Sequence, residues 1–429
     1  MRLRARWRMS VAAALVLRAG VASAQDLATP TDRDLFNEAV LHSIRLVVNA
    51  KDWEDLKANY QSNDYYASHF GWRDQIALNV GIRSRGTGSR SSTKPGLRVD
   101  FNLYDPTQQF LGLKSLVLRN HTQDASQMHE RLGMQFFRRL GLPAPRQVHT
   151  RLYVNDEYVG LYSIVEAVDK VFLDAHFRED DGFLYEYDYV ADQPYRFEFK
   201  GPSPQLYSPK PFKPVTHETD PAPGPLADLI RTITDAPKPD FQQVMANYLD
   251  LERFTTYVAI ETFLSEMDGV LGDWGMNNFY LYRFQGSTAS TVIPWDKSEA
   301  FKGGIFRSIW HNVDDVPLWS QNRLMTSVML VPELRGVYLD TLLSCADMAS
   351  ATVTDAPSED GAATEETREG ATWLEREVLT TYEQIRDAAL DDALKPHTDE
   401  EFELAVRDLL VFARERSAFV RREVERSPR

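Results

Sequence analysis

The order of the strand and helix patterns along the chain constrains its fold more than any other feature. Alternating apolar and polar residues, typical of half-buried strands, occur at Leu41–Val48, at Ile76–Ile82 and again in the stretch GLRVDFNLY. An amphipathic helix pattern follows at Met128–Leu140. Two further strands, within VHTRLYVNDEYVGLYSIVEAV, are joined by Asn155 and Asp156, a pair that favours a tight hairpin. The first 165 residues are therefore predicted to form an antiparallel sheet with one main helix.

Helical patterns are more common in the rest of the chain. Within the first 165 residues, one further short helix is predicted in AKDWEDLKANYQ, with Asp52 as its N-cap. Others are predicted near Pro239, at Asp250–Met267 and from Trp373 to the end. Tyr195–Pro225 is rich in proline and polar residues, which predicts a long loop or insertion. The whole pattern predicts an α+β protein.

Changes in composition divide the chain into five predicted segments. These are an export signal (1–24), a sheet-rich lobe (25–165), a second lobe (166–348), a flexible acidic segment (349–371) and C-terminal helices (372–429). The acidic segment contains few large apolar residues, which is typical of a flexible surface segment.

The N-terminus has the three-part layout of a secretory signal. It carries four arginines up to Arg8, an apolar stretch at Met9–Leu17, and small residues at Ala22 and Ala24. Cleavage is predicted after Ala24, so the protein is expected to be secreted or periplasmic. The alternative interpretation is a disordered N-terminus that happens to be basic.

Charge and cysteine content narrow the classes of partner. The formal net charge is −15, which argues against nucleic acid because phosphate binding requires clustered lysine and arginine. The sequence has no apolar window long enough to span a bilayer, so no stable membrane insertion is expected. Cys345 is the single cysteine, so no internal disulfide can form and the fold must depend on its hydrophobic core. The sequence does not indicate an oligomeric state.

A polar loop, RSRGTGSRSSTKP (residues 83–95), separates the second and third predicted strands. Its glycines and serines allow backbone N–H groups to surround an anion, and Arg85 adds positive charge. Lys94 stands near the end of the loop, within reach of an anion that the loop would surround. Glu130, early in the following helix, is either a solvated first-turn acid or a partner that aims Lys94 at a phosphate. Ordinary hairpin connections have a similar composition, so the loop alone does not establish an anion site.

Acidic residues flank a predicted hairpin of two apolar strands. The stretch runs from Asp273 to Asp296 and reads DWGMNNFYLYRFQGSTASTVIPWD, with Asn278 five positions after Asp273. Phosphoryl transfer requires a carboxylate for the acceptor hydroxyl and oxygen ligands for Mg²⁺, and protein kinases use this same Asp-to-Asn spacing. The motif alone is common by chance, and an acid-capped surface hairpin is the alternative. Its position after the polar loop, Lys94 and Glu130 favours phosphoryl transfer.

Several stretches together resemble the spore-coat-protein-H-like (CotH) kinases, which are secreted atypical protein kinases. In chain order they are VGIRSRGTGSRSSTKPGLRVDF, HERLGMQFFRRLGLPAP, LYVNDEYVGLYSIVEAVDK, NNFYLYRF and IPWD. The resemblance implies a kinase-like two-lobed fold that has an antiparallel sheet with one helix in its first lobe and a mostly helical second lobe. It also implies binding of ATP with Mg²⁺ or Mn²⁺, and transfer of the γ-phosphate to Ser or Thr of a protein.

The resemblance also implies roles for individual residues. By matching position, these are ATP contacts (Arg85, Gly86, Ser89, Lys94 and Glu166), catalysis (Asp273, with Lys94 and Glu130) and metal binding (Asn278 and Asp296). The family often has a second acid two positions after the metal-binding Asp, where this chain has Ser298. Asp268 competes with Asp273 as the catalytic acid, because only a gap-free alignment of the loop selects Asp273.

Three functions remain open at this level. The first is an exported ATP- and Mg²⁺-dependent protein kinase, although ATP is scarce outside the cytoplasm. The second is a surface or coat-associated binding protein of the same fold that does not catalyse. The third is an enzyme that uses ATP for another transfer, such as nucleotidylation, in the same pocket. A purely structural chain has no physical need for Lys94, Asp273, Asn278 and Asp296 together, which favours an enzyme.

Overall fold

The computed structural model describes residues 29–189, 194–313, 321–352 and 370–427. The predicted export signal lies outside these residues, as does most of the predicted acidic segment. Strands dominate the first part of the described chain and helices dominate the second, which confirms the predicted α+β class.

A barrel forms the first part of the described chain. Its seven strands are β1 (His42–Val48), β2 (Tyr66–Trp72), β3 (Gln75–Ser84), β4 (Leu97–Asp100), β5 (Ser115–Arg119), β6 (Gln147–Val154) and β7 (Glu157–Glu166). They close in the order β1-β2-β3-β4-β5-β7-β6, and β1 and β6 are the parallel pair among antiparallel neighbours. The predicted antiparallel sheet is therefore a closed barrel. Closure was not predicted because β2 and β5 were missed, and β5 is buried along its whole length and lacks the alternating pattern.

The predicted strand at Leu41–Val48 and the predicted hairpin are confirmed in the barrel. Side chains of β1 alternate between buried and exposed, as the sequence pattern indicates. Asn155 and Asp156 have φ angles of 50° and 68°, the left-handed backbone that a two-residue hairpin of this type requires. Inside the barrel, Phe70 packs edge-on against Phe101, with ring centroids 5.2 Å apart.

Three helices accompany the barrel. They are α1 (Asp32–Leu35), α2 (Ala50–Ala58) and α3 (His129–Arg139). The predicted N-cap of α2 is wrong: Asn49, not Asp52, accepts a hydrogen bond from the N–H of Lys51. The predicted helix at Met128–Leu140 is confirmed as α3. However, α3 is buried from His129 to Phe137, so its acid Glu130 lies inside the protein rather than in solvent.

Four further described strands form a second, antiparallel sheet. They are β8 (Phe183–Tyr187), β9 (Phe212–Pro214), β10 (Phe279–Arg283) and β11 (Ser290–Pro294), in the order β11-β10-β8-β9. The predicted hairpin is therefore confirmed as β10 and β11. Phe279 pairs with Pro294, and the N–H of Trp295 donates to the carbonyl of Asn278 at 3.2 Å. This pairing brings Asn278 next to the end of β11, where Asp296 follows.

The remaining described helices lie in the second part of the chain. They are α4 (Lys170–Phe177), α5 (Gly224–Asp235), α6 (Phe241–Met245), α7 (Leu251–Phe263), α8 (Arg323–Met329), α9 (Pro332–Ser350), α10 (Trp373–Leu390) and α11 (Asp399–Arg426). Helix α9 packs against both α7 and α11. The predicted helix at Asp250–Met267 stops earlier than expected, at Phe263, and the chain then turns toward the end of β11.

Two predicted features of this second part can be compared with the structure. Tyr195–Pro225 is largely irregular, as predicted, but Tyr195, Tyr207 and Phe212 are buried in the core, so the segment is an integral part of the fold. Cys345 is buried on α9 and is not disulfide-bonded, as expected, and burial raises the pKa of its thiol. In the described part of the chain, no helix has both the length and the apolar character needed to cross a membrane.

Candidate active site between the barrel and the second sheet

A cleft of about 630 Å³ lies between the barrel and the four-stranded sheet. The polar loop and the facing ends of β3 and β4 line its barrel side. The end of β8, four residues of the segment before β10 (Asp268, Trp274, Asn277 and Asn278) and the residues that follow β11 line the other side. A smaller recess, lined by Arg119 and Glu130, shares Asp296 with this cleft. The cleft volume lies within the range of small-molecule binding sites, and it brings together several predicted site residues.

Arg119 links two carboxylates in the recess. It is the last residue of β5, and its guanidinium is 3.1 Å from Glu130 on α3 and 2.6 Å from Asp296 after β11. Its Nε is buried and has no hydrogen-bond partner among the described residues. Burial alone would lower the pKa of Arg119, but Asp296 and Glu130 outweigh it and raise that pKa. The guanidinium therefore stays charged, and its buried Nε–H is left without an acceptor among the described residues.

The two carboxylates beside Arg119 are shifted in opposite directions. Burial raises the pKa of Glu130 to about 7; Arg119 opposes this shift and the charge of Asp296 adds to it. Burial also acts to raise the pKa of Asp296, but Arg119 and Arg85 outweigh it and hold that pKa below its ordinary value. At neutral pH the recess therefore contains one firmly ionised acid and one that titrates.

The polar loop presents Arg85 to the cleft. Arg85 lies 4.8 Å from the ring centroid of Trp295, and its guanidinium is 3.7 Å from Glu186 on β8. Gly86 has a φ of 114°, and a side chain there would meet the hydroxyl of Ser89 at 2.4 Å. The loop therefore folds back on itself through Gly86, and Arg85, Gly86 and Ser89 all line the cleft as predicted.

Asp268 lies in the cleft opposite the polar loop. Its Oδ2 accepts hydrogen bonds from the side-chain amides of Asn277 at 3.0 Å and Asn278 at 2.9 Å. Burial raises its pKa to about 6; the bond from Asn277 acts against this shift and the charge of Asp296 reinforces it. Asp268 is thus an oriented carboxylate in a partly buried site, which suits a general base.

Asn278 and Asp296 lie side by side in an unusual backbone conformation. Their φ angles are 58° and 45°, in the left-handed region that asparagine and aspartate tolerate better than most residues. The carbonyl of Asn278 also accepts a bond of 3.0 Å from the buried Lys297, whose ammonium is 2.7 Å from Glu261. This buried ion pair supports the hairpin ends from beneath the cleft.

Asp273 lies away from the position predicted for it. Its carboxylate is bonded to the guanidinium of Arg307, to His311 at 2.9 Å and to the amide of Asn312 at 2.9 Å, outside the cleft lining. The five-residue spacing from Asp273 to Asn278 was therefore misleading, because the intervening chain turns and brings Asp268 instead to Asn278. The competing assignment, Asp268, is the one that the geometry favours.

Lys94 also departs from its predicted place. Its ammonium is buried in the barrel wall, where it contacts Asp392 at 2.5 Å and the carbonyl of Leu161 at 3.0 Å. The predicted pair of Lys94 with Glu130 is wrong, because Arg119 takes the position beside Glu130. The loop turns Lys94 inward, away from the cleft, and no local pattern indicates its partner 298 positions later.

Glu166 does not face the cleft lining either. It is the last residue of β7, it is 4% exposed, and its Oε1 is 2.6 Å from Arg146. Its carboxylate is engaged by Arg146, so the structure does not bring this side chain together with the other residues predicted to contact ATP. The guanidinium of Arg146 also contacts Asp32, which ties the start of the described chain to the end of the barrel.

Arg119, Glu186 and Trp295 are among the residues of the cleft and its recess that the sequence analysis missed. A signal for Arg119 was present, because a cation ends the apolar stretch SLVLR just before the helix that carries Glu130. In protein kinases a strand lysine pairs with a helix glutamate in this order. The signal was passed over because Lys94 was already assigned that role.

The oxygen atoms in the cleft suit a hard divalent cation. Asp296 and Asn278 supply a carboxylate and an amide oxygen, the ligand types that Mg²⁺ prefers. Among the described residues, no group of three or more His, Cys, Asp or Glu side chains is arranged to hold a metal by itself. Magnesium in phosphoryl-transfer sites is commonly held by one or two carboxylates together with the phosphates of the substrate. These residues therefore fit a metal that arrives with a nucleotide.

Comparison with known proteins defines the class to which this fold and cleft belong. A family model described as CotH kinase protein matches residues 82–420, so the chain belongs to that family. The chain is also 25% identical over 392 residues to the inner spore coat protein H of Bacillus subtilis (strain 168). That alignment covers 90% of this chain and 98% of the relative.

Proposed function

We propose that this protein is an exported protein kinase that uses ATP and Mg²⁺ to phosphorylate Ser or Thr of a secreted or surface protein. The observation that carries the proposal is the linked set of Arg119, Glu130 and Asp296, with Asp268 facing the same cleft. A strand cation paired with a helix acid, a metal-binding acid after a hairpin and a separate base are the parts that phosphoryl transfer requires. The family to which the chain belongs supports the same conclusion.

The proposal assigns a role to each of these residues. Arg119 supplies positive charge beside the phosphates, and Glu130 orients Arg119. Asp268 accepts the proton of the acceptor hydroxyl, which a carboxylate with a pKa of about 6 can do at neutral pH. Asp296 and Asn278 hold Mg²⁺, which would neutralise charge on the transferred phosphate when bound.

The overall arrangement is consistent with a two-lobed kinase-like fold. The barrel takes the position of the first lobe and supplies the polar loop and Arg119, while the second sheet and its helices supply Asp268 and Asp296. Export and an acceptor outside the cytoplasm are proposed from the N-terminal sequence pattern. The related protein is named as a component of the inner spore coat.

Phosphate transfer can be tested directly with labelled nucleotide. We expect the purified full-length chain, with Mg²⁺ or Mn²⁺ and γ-labelled ATP, to label itself or casein. Asp296→Ala should remove metal-dependent ATP binding, measured by calorimetric titration, while circular dichroism stays that of the unmodified protein. Asp156→Ala, at the exposed hairpin tip, is the matched control and should bind as before. Unchanged binding in Asp296→Ala would exclude the metal role.

A non-catalytic binding protein is the second candidate, and the coat-protein name of the relative favours it. This candidate predicts that neither the unmodified protein nor any cleft variant transfers label from ATP. Label transferred from the α-phosphate, with none from the γ-phosphate, would instead support nucleotidylation. The same labelling experiment therefore separates all three functions.

A further inference from the structure

The buried ion pair between Lys94 and Asp392 joins two distant parts of the chain. Lys94 stands near the end of the polar loop, whereas Asp392 follows α10 at the start of the connection to α11. Their side chains are 1% and 0% exposed, and the two charged atoms are 2.5 Å apart. The ammonium also lies 5.1 Å from the ring centroid of Tyr162. The lysine side chain therefore extends from the loop into a closed site in the barrel wall.

Asp392 is held in this site by its own hydrogen bonds. Its Oδ2 accepts from the N–H of Leu161 at 3.0 Å, and its Oδ1 accepts from the N–H of Leu394 at 3.0 Å. Gly160 has a φ of 124°, and a side chain at that position would lie 2.5 Å from the carboxylate. Strand β7 thus has a glycine at the point where the carboxylate of Asp392 approaches the backbone.

Bonds from neighbouring residues hold the polar loop on either side of its tip. The side-chain amide of Asn120 donates to the carbonyl of Ser89 at 2.9 Å and to that of Lys94 at 2.7 Å. The hydroxyl of Tyr162 donates to the carbonyl of Pro95 at 3.1 Å. Asn120 directly follows Arg119, so the segment that carries Arg119 also holds the polar loop.

We propose that Lys94, Asn120 and Asp392 are positioning residues that fix the polar loop over the cleft. The inference rests on the proposed function, because the loop matters only if it covers the phosphates of a nucleotide. In this arrangement Lys94 acts through the loop and never contacts the nucleotide. The order of the loop then depends on α10 and α11 being docked, since they supply the counter-charge for Lys94.

The buried charge supports this inference. A lysine in a sealed apolar wall is unfavourable unless it is paired, so the loop can adopt this conformation only while Asp392 is in place. Burial lowers the pKa of Lys94, and Asp392 opposes that shift. A loop held only by apolar contacts would have no such dependence on a residue from the other end of the chain.

Hydrogen–deuterium exchange of the loop amides at residues 86–93 tests the inference. In Asp392→Asn we expect these amides to exchange at least about tenfold faster, because the local opening of the loop becomes easier. The Kd or KM for ATP should rise about tenfold, whereas kcat should change less than about threefold, because the base and metal ligands are untouched. Glu403→Gln, which removes the carboxylate of an exposed pair between α10 and α11, is the control and should leave all three unchanged.

The outcomes separate this inference from the proposed function. If the unmodified protein neither binds nor uses ATP, the proposed function fails, but faster loop exchange in Asp392→Asn still supports the anchor. If ATP binds and the loop exchanges at the unmodified rate in a folded Asp392→Asn, the anchor is wrong. Should Asp392→Asn fail to fold, Asn120→Ala replaces it, since that change removes two loop bonds and leaves the ion pair. Unchanged loop exchange in Asn120→Ala would likewise overturn the inference.

Discussion

Lys94 and Arg119 are two cations buried in the wall of the same barrel, and their surroundings differ. Lys94 has one carboxylate partner, Asp392, and both side chains are sealed from solvent. Arg119 lies between two carboxylates, Glu130 and Asp296, in a recess that adjoins the open cleft. Lys94 is therefore balanced by one carboxylate, whereas Arg119 interacts with two.

This difference shows which buried charges are available to a ligand. The pair at Lys94 is complete and has no room for a further group. In the recess, burial raises the pKa of Glu130 to about 7, and burial with the nearby charge of Asp296 raises the pKa of Asp268 to about 6. Carboxylates that are incompletely neutralised in a cleft are typical of functional sites, because a bound cation relieves their repulsion. The following predictions test this contrast, starting with the largest effect.

Asp268→Asn should produce the largest loss of activity. The amide keeps the shape of the side chain but cannot accept the proton of the acceptor hydroxyl. Turnover should fall by roughly 10²–10⁴, the usual contribution of a positioned base, while Mg-ATP binding persists. Single-turnover phosphate transfer and calorimetric nucleotide binding would be measured on the same preparation.

Asp273→Asn is the matched control for that prediction. Its carboxylate contacts Arg307 and His311 outside the cleft, so its loss should affect local packing more than the rate of transfer. If Asp273→Asn were inactive and Asp268→Asn fully active, the assignment of the base would be reversed. Full activity in both variants would show that neither carboxylate is the base.

Much of the fold was predictable because its elements carry local signals. The alternation in β1, the turn at Asn155 and Asp156, and the hairpin of β10 and β11 each depend on residues close together in the sequence. Asn278, Asp296 and Arg85 could be grouped from the sequence for the same reason: each stands at the end of a recognisable strand or in a recognisable loop, and all three line the cleft.

The rest depended on contacts that spacing cannot reveal. Barrel closure requires the parallel pairing of β1 with β6, which follows from the three-dimensional course of the chain. The inward direction of Lys94 depends on Asp392, which lies 298 positions away. The choice between Asp268 and Asp273 depends on a turn in an irregular segment, where no periodic pattern exists.

Lys94→Met should cause the largest loss of stability. The ammonium lies opposite the sealed carboxylate of Asp392. Removing one partner of a buried pair costs about 3–5 kcal/mol of the free energy of unfolding, measured by urea titration. Arg45→Met, which breaks an exposed barrel pair, should cost less than about 1 kcal/mol. Equal costs for the two variants would show that Lys94 is not sealed.

The double variant Lys94→Met/Asp392→Leu should recover much of the loss, because no charge is left unpaired.

The pH dependence of phosphate transfer should report Asp268. The pKa of this acid is raised to about 6, and the base works only when it is ionised. The value of kcat/KM should therefore be level above about pH 7 and fall about tenfold per pH unit below pH 6. Glu130→Gln removes the neighbouring acid whose pKa is about 7, and the limb near pH 6 should persist in this variant. A limb that disappears with Glu130, or that lies near pH 4, would contradict the assignment.

Ser298→Asp should have the smallest effect, a modest increase in metal affinity. Ser298 lines the cleft, and its hydroxyl donates to Oδ1 of Asp296 at 3.0 Å. An aspartate there would add a second acid two positions after Asp296 and raise the ligand charge, which should tighten Mg²⁺ binding by roughly three- to tenfold. Ser298→Asn is the matched control, because it adds similar volume without charge and should not tighten binding. Calorimetric titration of Mg²⁺ in the presence of ATP measures both variants. If Ser298→Asp bound Mg²⁺ no better than Ser298→Asn, the metal would not lie beside Asp296, and the unbalanced charge of the cleft would require another explanation.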